Sequence, residues 1–449
     1  MSDLLSGGYR ARFLAVMLLV NTFNFADRAI FSALGQAVKQ DLLLTDTQLG
    51  LLQGFSFALL YAVAGIPIGR LAERGSRVGI IAVAVTVWSG MTAACGLAMN
   101  FWHMMLARIG VGIGEAGFSP PSSSLVSDHF GSDRRASALA IIALGSPLGA
   151  LVGAVGGGLI AGEHGWRIAF FALGAPGLLL GLIVFLLLKE PQRGLADGVL
   201  ASEPPPPMSR VLAALMAKPT FVHVVIGGAA AGLGMNAIGH FLAPFLGRVH
   251  ALDIRSAALW FGLVSSASLA IGLLIGGLGT DRLARHDRRW SAWGPAIGLA
   301  LAAPLYYLGF QQAELLPALA FIFGGAIALI SHYGPLLGIV QNLAPPRARA
   351  SAAALVGLVF AIFGVGLGPT LVGILSDHFA TQSFGEGFAA ACPGGRAPAG
   401  ASELFQANCA SASAAGMRTA FSVMVLAFPW AALHFLIASF TLRRDLHTA

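Results

Sequence analysis

Four ionisable side chains stand inside otherwise apolar stretches of this sequence, and they are the residues best placed to do chemistry. They are Asp27, Arg28, Arg108 and Glu115. Two are acidic and two are basic, so the group is neutral as a whole. Placing one charge in the centre of a lipid bilayer costs at least about 2.5–3.5 kcal/mol on insertion scales. Residues kept at that cost are candidates for handling a proton or a polar ligand.

The spacing of these residues suggests how they meet. Arg108 and Glu115 lie two helical turns apart and share one face. If the first and fourth apolar stretches touch, Asp27 falls between them in depth, where it can pair with Arg108 or share a proton with Glu115. A carboxylate that exchanges an arginine for a desolvated setting changes its protonation with conformation. Asp27, Glu115 and Arg108 are therefore candidate proton-coupling residues. The alternative is a permanent salt bridge that holds two helices together.

Polar residues elsewhere are candidate contacts for a substrate. Arg28 points away from Asp27 on its helix and either lines the cavity or extends its head to the interface. The second half offers polar side chains but no comparable charge, which suits an amphipathic substrate. A lone histidine on an apolar helix is also typical of a hydrogen-bonded structural residue. The full candidate set is Asn24, Arg28, Arg108, Glu115, Asn236, His240, His332 and Tyr333.

The composition identifies the elements that must position these residues. Of the 449 residues, 56% are hydrophobic and only 10% are charged, and the mean hydropathy is +0.78. Charge this sparse is well below the roughly 25% of a soluble domain. It excludes a cytosolic enzyme, a disordered chain and a nucleic-acid-binding protein. The net charge of +7 fits basic cytoplasmic loops better than nucleic-acid binding.

Long apolar runs predict an all-α polytopic membrane protein with twelve spans of about 20 residues each. Most Lys and Arg residues then fall in loops on one side of the membrane, and this side is expected to be the cytoplasm. The prediction is a protein of the plasma (inner) membrane with both termini in the cytoplasm. The predicted spans are 12–37, 47–70, 78–99, 102–127, 136–161, 166–188, 220–246, 256–279, 292–311, 316–341, 350–375 and 417–441.

The chain also repeats itself. Gly69–Arg74 matches Gly277–Arg282, and Arg135–Ala138 recurs identically as Arg349–Ala352. These matches predict two six-helix halves, 1–188 and 220–449, joined by a Pro-rich cytoplasmic linker at 189–219. Parallel six-helix repeats suit alternating access around a central site.

Glycines and cysteines add two expectations. A series from Gly145 to Gly158 gives the fifth span a small face that allows close helix packing. Cys392 and Cys409 share the longest outer loop, about 376–416, and form either a disulfide or two free thiols.

Two motifs resemble the major facilitator superfamily. Gly69–Arg77 is similar to its loop signature G-x-L-A-D-R-x-G-R, with Glu73 and Ser76 replacing the usual Asp and Gly. Leu106–Arg108 with the following glycines resembles its fourth-helix motif. The resemblance implies a twelve-helix transporter with an inner gate. The gating candidates are Gly69, Glu73, Arg74, Arg77, Asp281 and Arg282; the alternative is ordinary topology-setting charge.

Two further stretches resemble the spinster-type lipid transporters. Asn24–Arg28 is similar to their N-[YF]-x-D-R, and the run from Arg108 to Ala116, followed by Ser127-Asp128, is similar to R-x-x-x-G-x-G-E-A. The resemblance implies transport of lysolipids or sphingoid phosphates coupled to protons, with Asp27 and Glu115 handling the proton beside Arg108.

The expectation is therefore a monomeric secondary transporter that exchanges protons, touches membrane lipids, is not an enzyme and uses no cofactor, metal or nucleic acid. No phosphate-binding G-x-x-x-x-G-K-[ST] loop occurs in the sequence, which argues against ATP as the energy source. The alternatives are a transporter of small organic solutes or drugs, and a non-transporting sensor or channel.

Overall fold

The computed structural model describes residues 2–131, 134–193, 195, 207–345 and 348–446. These residues form helices and connecting turns, with no strand among them. Each predicted span coincides with a helical stretch, so the all-α expectation is confirmed. Ten helices in the described residues are long and apolar enough to cross a membrane.

The helices of the first half are numbered α1 to α6, and some consist of consecutive segments. They are α1 (Gly7–Asp41), α2 (Asp46–Gln53 and Phe55–Arg74), α3 (Arg77–Cys95), α4 (Phe101–Glu115 and Ser119–His129), α5 (Arg135–Ala143, Gly145–Leu151, a π-helical Val152–Gly156 and Gly157–His164) and α6 (Trp166–Leu187).

The second half begins with a short helix, Met208–Met216, and continues with α7 to α12. These are α7 (Pro219–Val249), α8 (Ile254–Leu274, a π-helical Ile275–Gly279 and Thr280–Ala284), α9 (Trp290–Gln311), α10 (Leu315–Ile330 and Tyr333–Leu343), α11 (Arg349–Val359, a π-helical Phe360–Leu367 and Gly368–Phe384) and α12 (Glu403–Met424 and Ala427–Asp445).

Several helices extend beyond the predicted spans. Helix α1 begins at Gly7, α11 continues to Phe384, and α12 begins at Glu403. The prediction followed the apolar run, which ends where polar residues begin. Backbone hydrogen bonds within a helix do not depend on that boundary, so a helix continues into the aqueous region until a cap ends it.

The chain forms two compact units. The first contains Met1–Leu42, Ser56–Glu203 and Leu252–Gly262; the second contains Leu43–Phe55, Pro204–Ala251 and Leu263–Ala449. The division resembles the predicted halves, except that the start of α2 groups with the second unit and the start of α8 with the first. Part of the predicted linker, at 194 and 196–206, lies outside the described residues, and this part includes three of its four consecutive prolines.

A buried ion pair explains why the start of α2 belongs to the second unit. Asp46 forms a two-point salt bridge with Arg248 of α7, at 2.6 and 2.7 Å. The hydroxyl of Ser376 on α11 donates to the same carboxylate at 2.8 Å. The neighbouring Asp377 accepts the backbone N–H groups of Asp46 and Thr47. The first turns of α2 are thus anchored to α7 and α11.

The glycine face predicted for α5 packs against α1, a partner that the sequence did not specify. A Cβ atom on Gly149 would lie 2.2 Å from the carbonyl oxygen of Thr22, and one on Gly153 would lie 2.2 Å from that of Ala26. Neither distance is compatible with a side chain, so the two backbones approach as closely as glycine permits. This contact fixes the rotation of α1 at Ala26 and hence the direction of the adjacent Asp27.

Gly153→Ala is expected to destabilise the protein by about 1–3 kcal/mol, because the added methyl group meets backbone that cannot yield. The matched control is Gly156→Ala in the same helix, where a Cβ atom meets nothing within 4 Å. There, loss of glycine flexibility is expected to be neutral or to stabilise by about 0.5–1 kcal/mol. Thermal unfolding in detergent measures both, and equal shifts for the two variants would contradict the packing.

The connection between α11 and α12 is shorter than the predicted outer loop, and a disulfide bond attaches it to α12. It runs from Gly385 to Ser402 and contains two short helical turns. Cys392 and Cys409 form a disulfide, which settles the open alternative in the structure. Both sulfurs lie in a small apolar cluster with Ala380, Phe388 and Ala412.

Candidate functional site

The buried charges of α1 and α4 come together in the first unit, but with different partners from those predicted. Glu115, the last residue of the first segment of α4, forms its salt bridge with Arg28. The guanidinium Nη2 and Nε atoms lie 2.5 and 2.7 Å from its Oε2 atom. The Glu115 side chain is fully buried, whereas that of Arg28 is 29% exposed. Arg28 therefore joins the cluster rather than pointing away from it.

Asp27 occupies the centre of this cluster without a direct bond. The residue is 1% exposed, and neither carboxylate oxygen has a hydrogen-bond partner among the described residues. Glu115, Thr92, Arg108 and Arg28 all lie within range to influence its charge. Of the two pairings that the sequence left open for Asp27, the salt bridge to Arg108 is not formed among the described residues. Burial of an unpaired carboxylate costs several kcal/mol unless the group is neutralised, so this position favours a bound proton or a partner that arrives later.

Arg108 is held beside the carboxylates by an aromatic ring. Its guanidinium carbon lies 4.7 Å from the centre of the Phe31 ring on α1, a cation–π contact that stabilises a cation in apolar surroundings. Asp27, Glu115 and the thiol of Cys95 lie within electrostatic range. Arg108 is thus positioned to approach either carboxylate through a change of side-chain rotamer.

Uncharged residues complete the cluster, and sequence reasoning missed most of them. The rings of Phe25 and Tyr61 lie 5.3 and 5.7 Å from the guanidinium carbon of Arg28. Thr92 of α3 places a buried hydroxyl without a hydrogen-bond partner near Asp27. Asn24, which was predicted, lies beside Glu115. No sequence pattern distinguishes Tyr61 from the other tyrosines of the chain.

The sequence profile of the Major Facilitator Superfamily matches residues 17–369. The chain belongs to the Major Facilitator Superfamily. It is therefore a multi-pass membrane protein of a transporter family, with a fold that transporters rather than enzymes use.

Individual relatives place the chain among the spinster-type members of this superfamily. It is 34% identical over 367 residues to an MFS-type efflux pump of Mycolicibacterium smegmatis, covering 81% of this chain and 83% of that one. It is 26% identical over 380 residues to the sphingosine-1-phosphate transporter SPNS2 of Danio rerio, covering 80% and 74%. The crystal structure of a bacterial homologue of the human lysosomal transporter Spinster, inward-facing and unoccupied, superposes with a TM-score of 0.90 at 32% identity over 99% of both chains.

The candidate substrate contacts of this transporter's second half do not form a charged counterpart. The amide of Asn236 on α7 donates to the carbonyl of Gly232 at 2.8 Å, one turn earlier on its own helix. His332 is buried and uses Nδ1 with the carbonyl of Leu329, at 2.5 Å, while Nε2 has no partner among the described residues. Tyr333 packs its ring edge against Phe360, and His240 is half-buried.

Among the predicted gating residues, only Arg77 is engaged in a buried network. Its side chain is 1% exposed and forms ion pairs with Asp128 of α4 and Glu190 beyond α6. It also donates to Ser124 Oγ at 2.8 Å and to the carbonyl of Pro191 at 3.0 Å. By contrast, Glu73, Arg74, Asp281 and Arg282 are exposed, and Gly69 has open space around it. The structure thus joins Arg77 to two acids, one of which, Glu190, sequence reasoning missed.

This network stabilises the charged form of Glu190. Burial alone would raise the pKa of this carboxyl group, but hydrogen bonds from the Val78 N–H and from Arg77 outweigh burial, and the pKa is lowered. A folded-state pKa below the unfolded value of about 4.3 means that the charge stabilises the protein at neutral pH. That contribution is lost as the pH falls through the folded-state pKa.

Glu190→Gln is therefore expected to lower the midpoint of thermal unfolding by roughly 2–4 °C at pH 7. The difference from wild type should shrink once the pH falls below about 4. Glu163→Gln is the control, because the Glu163 side chain is 60% exposed and its ion pair with Arg255 is long, at 3.6 Å. A gap that stays constant from pH 7 to acid would exclude the charge as its cause.

Proposed function

We propose that this chain is a proton-coupled carrier that works by alternating access and moves a single-chain amphipathic lipid, a lysolipid or a sphingoid phosphate. One observation carries the proposal. Asp27 is buried with two unpaired oxygens beside the Arg28–Glu115 ion pair. A group in that position can take up and release a proton, and the adjacent pair contains a cation for an anionic head.

The partial exposure of Arg28 suggests how the two events are linked. An anionic head that binds Arg28 competes with Glu115 for the same guanidinium group. Glu115 is fully buried, so the loss of its partner leaves an uncompensated charge whose cost is several kcal/mol. Uptake of a proton removes that cost. Substrate binding and proton binding at Glu115 thus favour each other. Asp27 is a second site for a proton, and Arg108 is a cation within electrostatic range of both carboxylates.

The lipid class is supported by two further points. The candidate contacts in the second half are uncharged, whereas most of those in the first half are charged, and this asymmetry suits a molecule with one polar end. The sphingosine-1-phosphate transporter of Danio rerio, a relative at 26% identity, acts on a molecule of this kind. We further propose that the protein is a monomer in the plasma (inner) membrane with both termini cytoplasmic, and that it works without a cofactor, metal or nucleic acid.

Transport assays in proteoliposomes test the proposal. The purified protein is reconstituted with lysophosphatidic acid or sphingosine 1-phosphate, a pH gradient of either direction is imposed, and movement between leaflets is followed by extraction with albumin. We expect transport that follows the gradient and stops when a protonophore collapses it. Absence of any gradient-driven lipid movement, from protein that elutes and unfolds as a folded species, would overturn the proposal.

A second candidate is export of small organic compounds. It is favoured by the efflux pump of Mycolicibacterium smegmatis, whose identity of 34% exceeds that of the lipid-transporting relative. Ethidium accumulation in the same proteoliposomes separates the two candidates. Gradient-driven movement of ethidium without movement of either lipid would support this second function instead.

A further inference from the structure

An apolar crevice lies wholly within the second unit, between α7, α11 and α12. Its volume is 470 Å³, within the range of about 300–1,000 Å³ typical of ligand sites. Every side chain around it is aliphatic or aromatic, among them Ala229, Leu233, Phe363, Leu426 and Trp430. Leu426 and Trp430 are 66% and 56% exposed, so the crevice is open on the side that they border.

Local irregularities of two helices create this space. Helix α11 is π-helical from Phe360 to Leu367, and α12 is interrupted between Met424 and Ala427. Such bulges and breaks displace side chains from regular packing and are frequent at functional sites. On the opposite wall, α7 contributes Ala229 and Ala230, whose small side chains leave the space unfilled. Atoms that line an unfilled space lose dispersion contacts, which an apolar occupant restores.

A pair of histidines lies just beyond one end of the crevice, next to the lining residue Trp430. The Trp430 ring lies 5.0 Å from that of His434, one turn further along α12. His434 Nδ1 lies 2.9 Å from Nδ1 of His223, which precedes the crevice residues on α7. One of these nitrogen atoms donates and the other accepts, so the pair holds at least one proton on Nδ1. The remaining ring nitrogens offer hydrogen bonds at this end.

We propose that the crevice binds the acyl chain of one single-chain lipid whose anionic head lies at the His223–His434 pair. The apolar walls match a hydrocarbon chain, and affinity grows with each methylene group that they bury. The ring whose Nδ1 accepts in this pair carries an Nε2–H donor for an anion, and a hydrogen bond to a charged group is stronger than one between neutral groups. The site involves none of the charged residues of the first unit, so it stands whether the cargo is a lipid or a small organic compound.

Fluorescence quenching by a brominated lipid tests the chain-binding part on the full-length protein in detergent. The probe is lysophosphatidic acid with a dibromostearoyl chain, whose bromine atoms quench a tryptophan that they contact. We expect a saturable component of quenching that disappears in Trp430→Phe. Ala229→Phe, which fills the crevice, should raise the half-saturating concentration about tenfold or more.

The control is Leu179→Phe, which adds the same ring to an exposed position on α6 and should titrate like wild type. Each variant is checked for its elution volume and thermal midpoint. Quenching that rises linearly with lipid, or saturable quenching that is unchanged in Trp430→Phe and Ala229→Phe, would overturn the site.

A second titration tests the head. The same brominated chain is presented on a neutral monoacylglycerol, and the two half-saturating concentrations are compared. Wild type is expected to prefer the anionic lipid about tenfold, and His434→Asn and His223→Asn should remove most of that preference while the chain still quenches Trp430. Equal binding of the two lipids by wild type would show that the histidines do not hold the head.

Discussion

Asp27→Asn is expected to abolish cargo accumulation driven by a pH gradient, to the level of empty liposomes, while exchange of cargo across the membrane persists. An asparagine has the shape and neutrality of a protonated aspartate but releases no proton. The variant should therefore behave as a permanently protonated protein, which can change conformation and exchange cargo but cannot be driven by a proton gradient. Because neither oxygen of Asp27 is bonded to another described residue, the substitution removes no hydrogen bond from the fold.

The matched control is Asp41→Asn on the same helix. Asp41 is 45% exposed and pairs with Arg167 at the protein surface, so its replacement should leave both gradient-driven transport and exchange near wild type. Counterflow of labelled cargo against unlabelled cargo measures exchange without a proton gradient. Loss of exchange together with gradient-driven transport would assign Asp27 to substrate binding or structure. Retention of both would remove it from the coupling mechanism.

Arg77→Ala is expected to produce the largest loss of stability among the variants considered. The arginine is 1% exposed and bridges Asp128 and Glu190. Its removal takes away the cation that Asp128 and Glu190 share, and breaking a buried ion pair by removing one partner typically costs about 3–5 kcal/mol. The midpoint of thermal unfolding in detergent should fall by roughly 5–10 °C.

Two comparisons separate the network from a general effect of removing a charge. Arg74→Ala changes an exposed arginine at the end of α2, three residues before Arg77, and should alter stability by no more than about 0.5 kcal/mol. Arg77→Ala combined with Asp128→Asn should recover part of the loss, because the second substitution removes the buried negative charge that had paired with Arg77. Equal destabilisation by Arg74→Ala and Arg77→Ala would show that the buried network is not responsible.

The sequence identified which residues form the site but not how they pair. Charges in apolar helices are costly, so Asp27, Arg28, Arg108 and Glu115 stood out by type alone. Their pairing depends on helix rotation and side-chain reach. The long side chain of Arg28 extends to Glu115, whereas the short side chain of Asp27 bonds to neither neighbour. Depth estimated from residue number contains no information on rotation.

Other features were predictable where one physical cause dominates. The glycine face of α5 was visible because only small residues permit backbones to approach that closely, whereas its partner, α1 at Ala26, came from the structure. Glu190 was missed because it follows α6 in a polar connection, where an acidic residue carries no signal. Its importance arises from contacts with Arg77 and the Val78 N–H, which are distant in the sequence.

The disulfide between Cys392 and Cys409 has a consequence for the sidedness of the whole chain. Such bonds persist in oxidising compartments and are rare in the reducing cytosol. The turn between α11 and α12 should therefore face the oxidising side, whatever the distribution of basic residues in the loops. A thiol-reactive reagent that cannot cross membranes, applied to intact cells after mild reduction, would label these two cysteines. The redox state of one bond thus reports the orientation of all the helices.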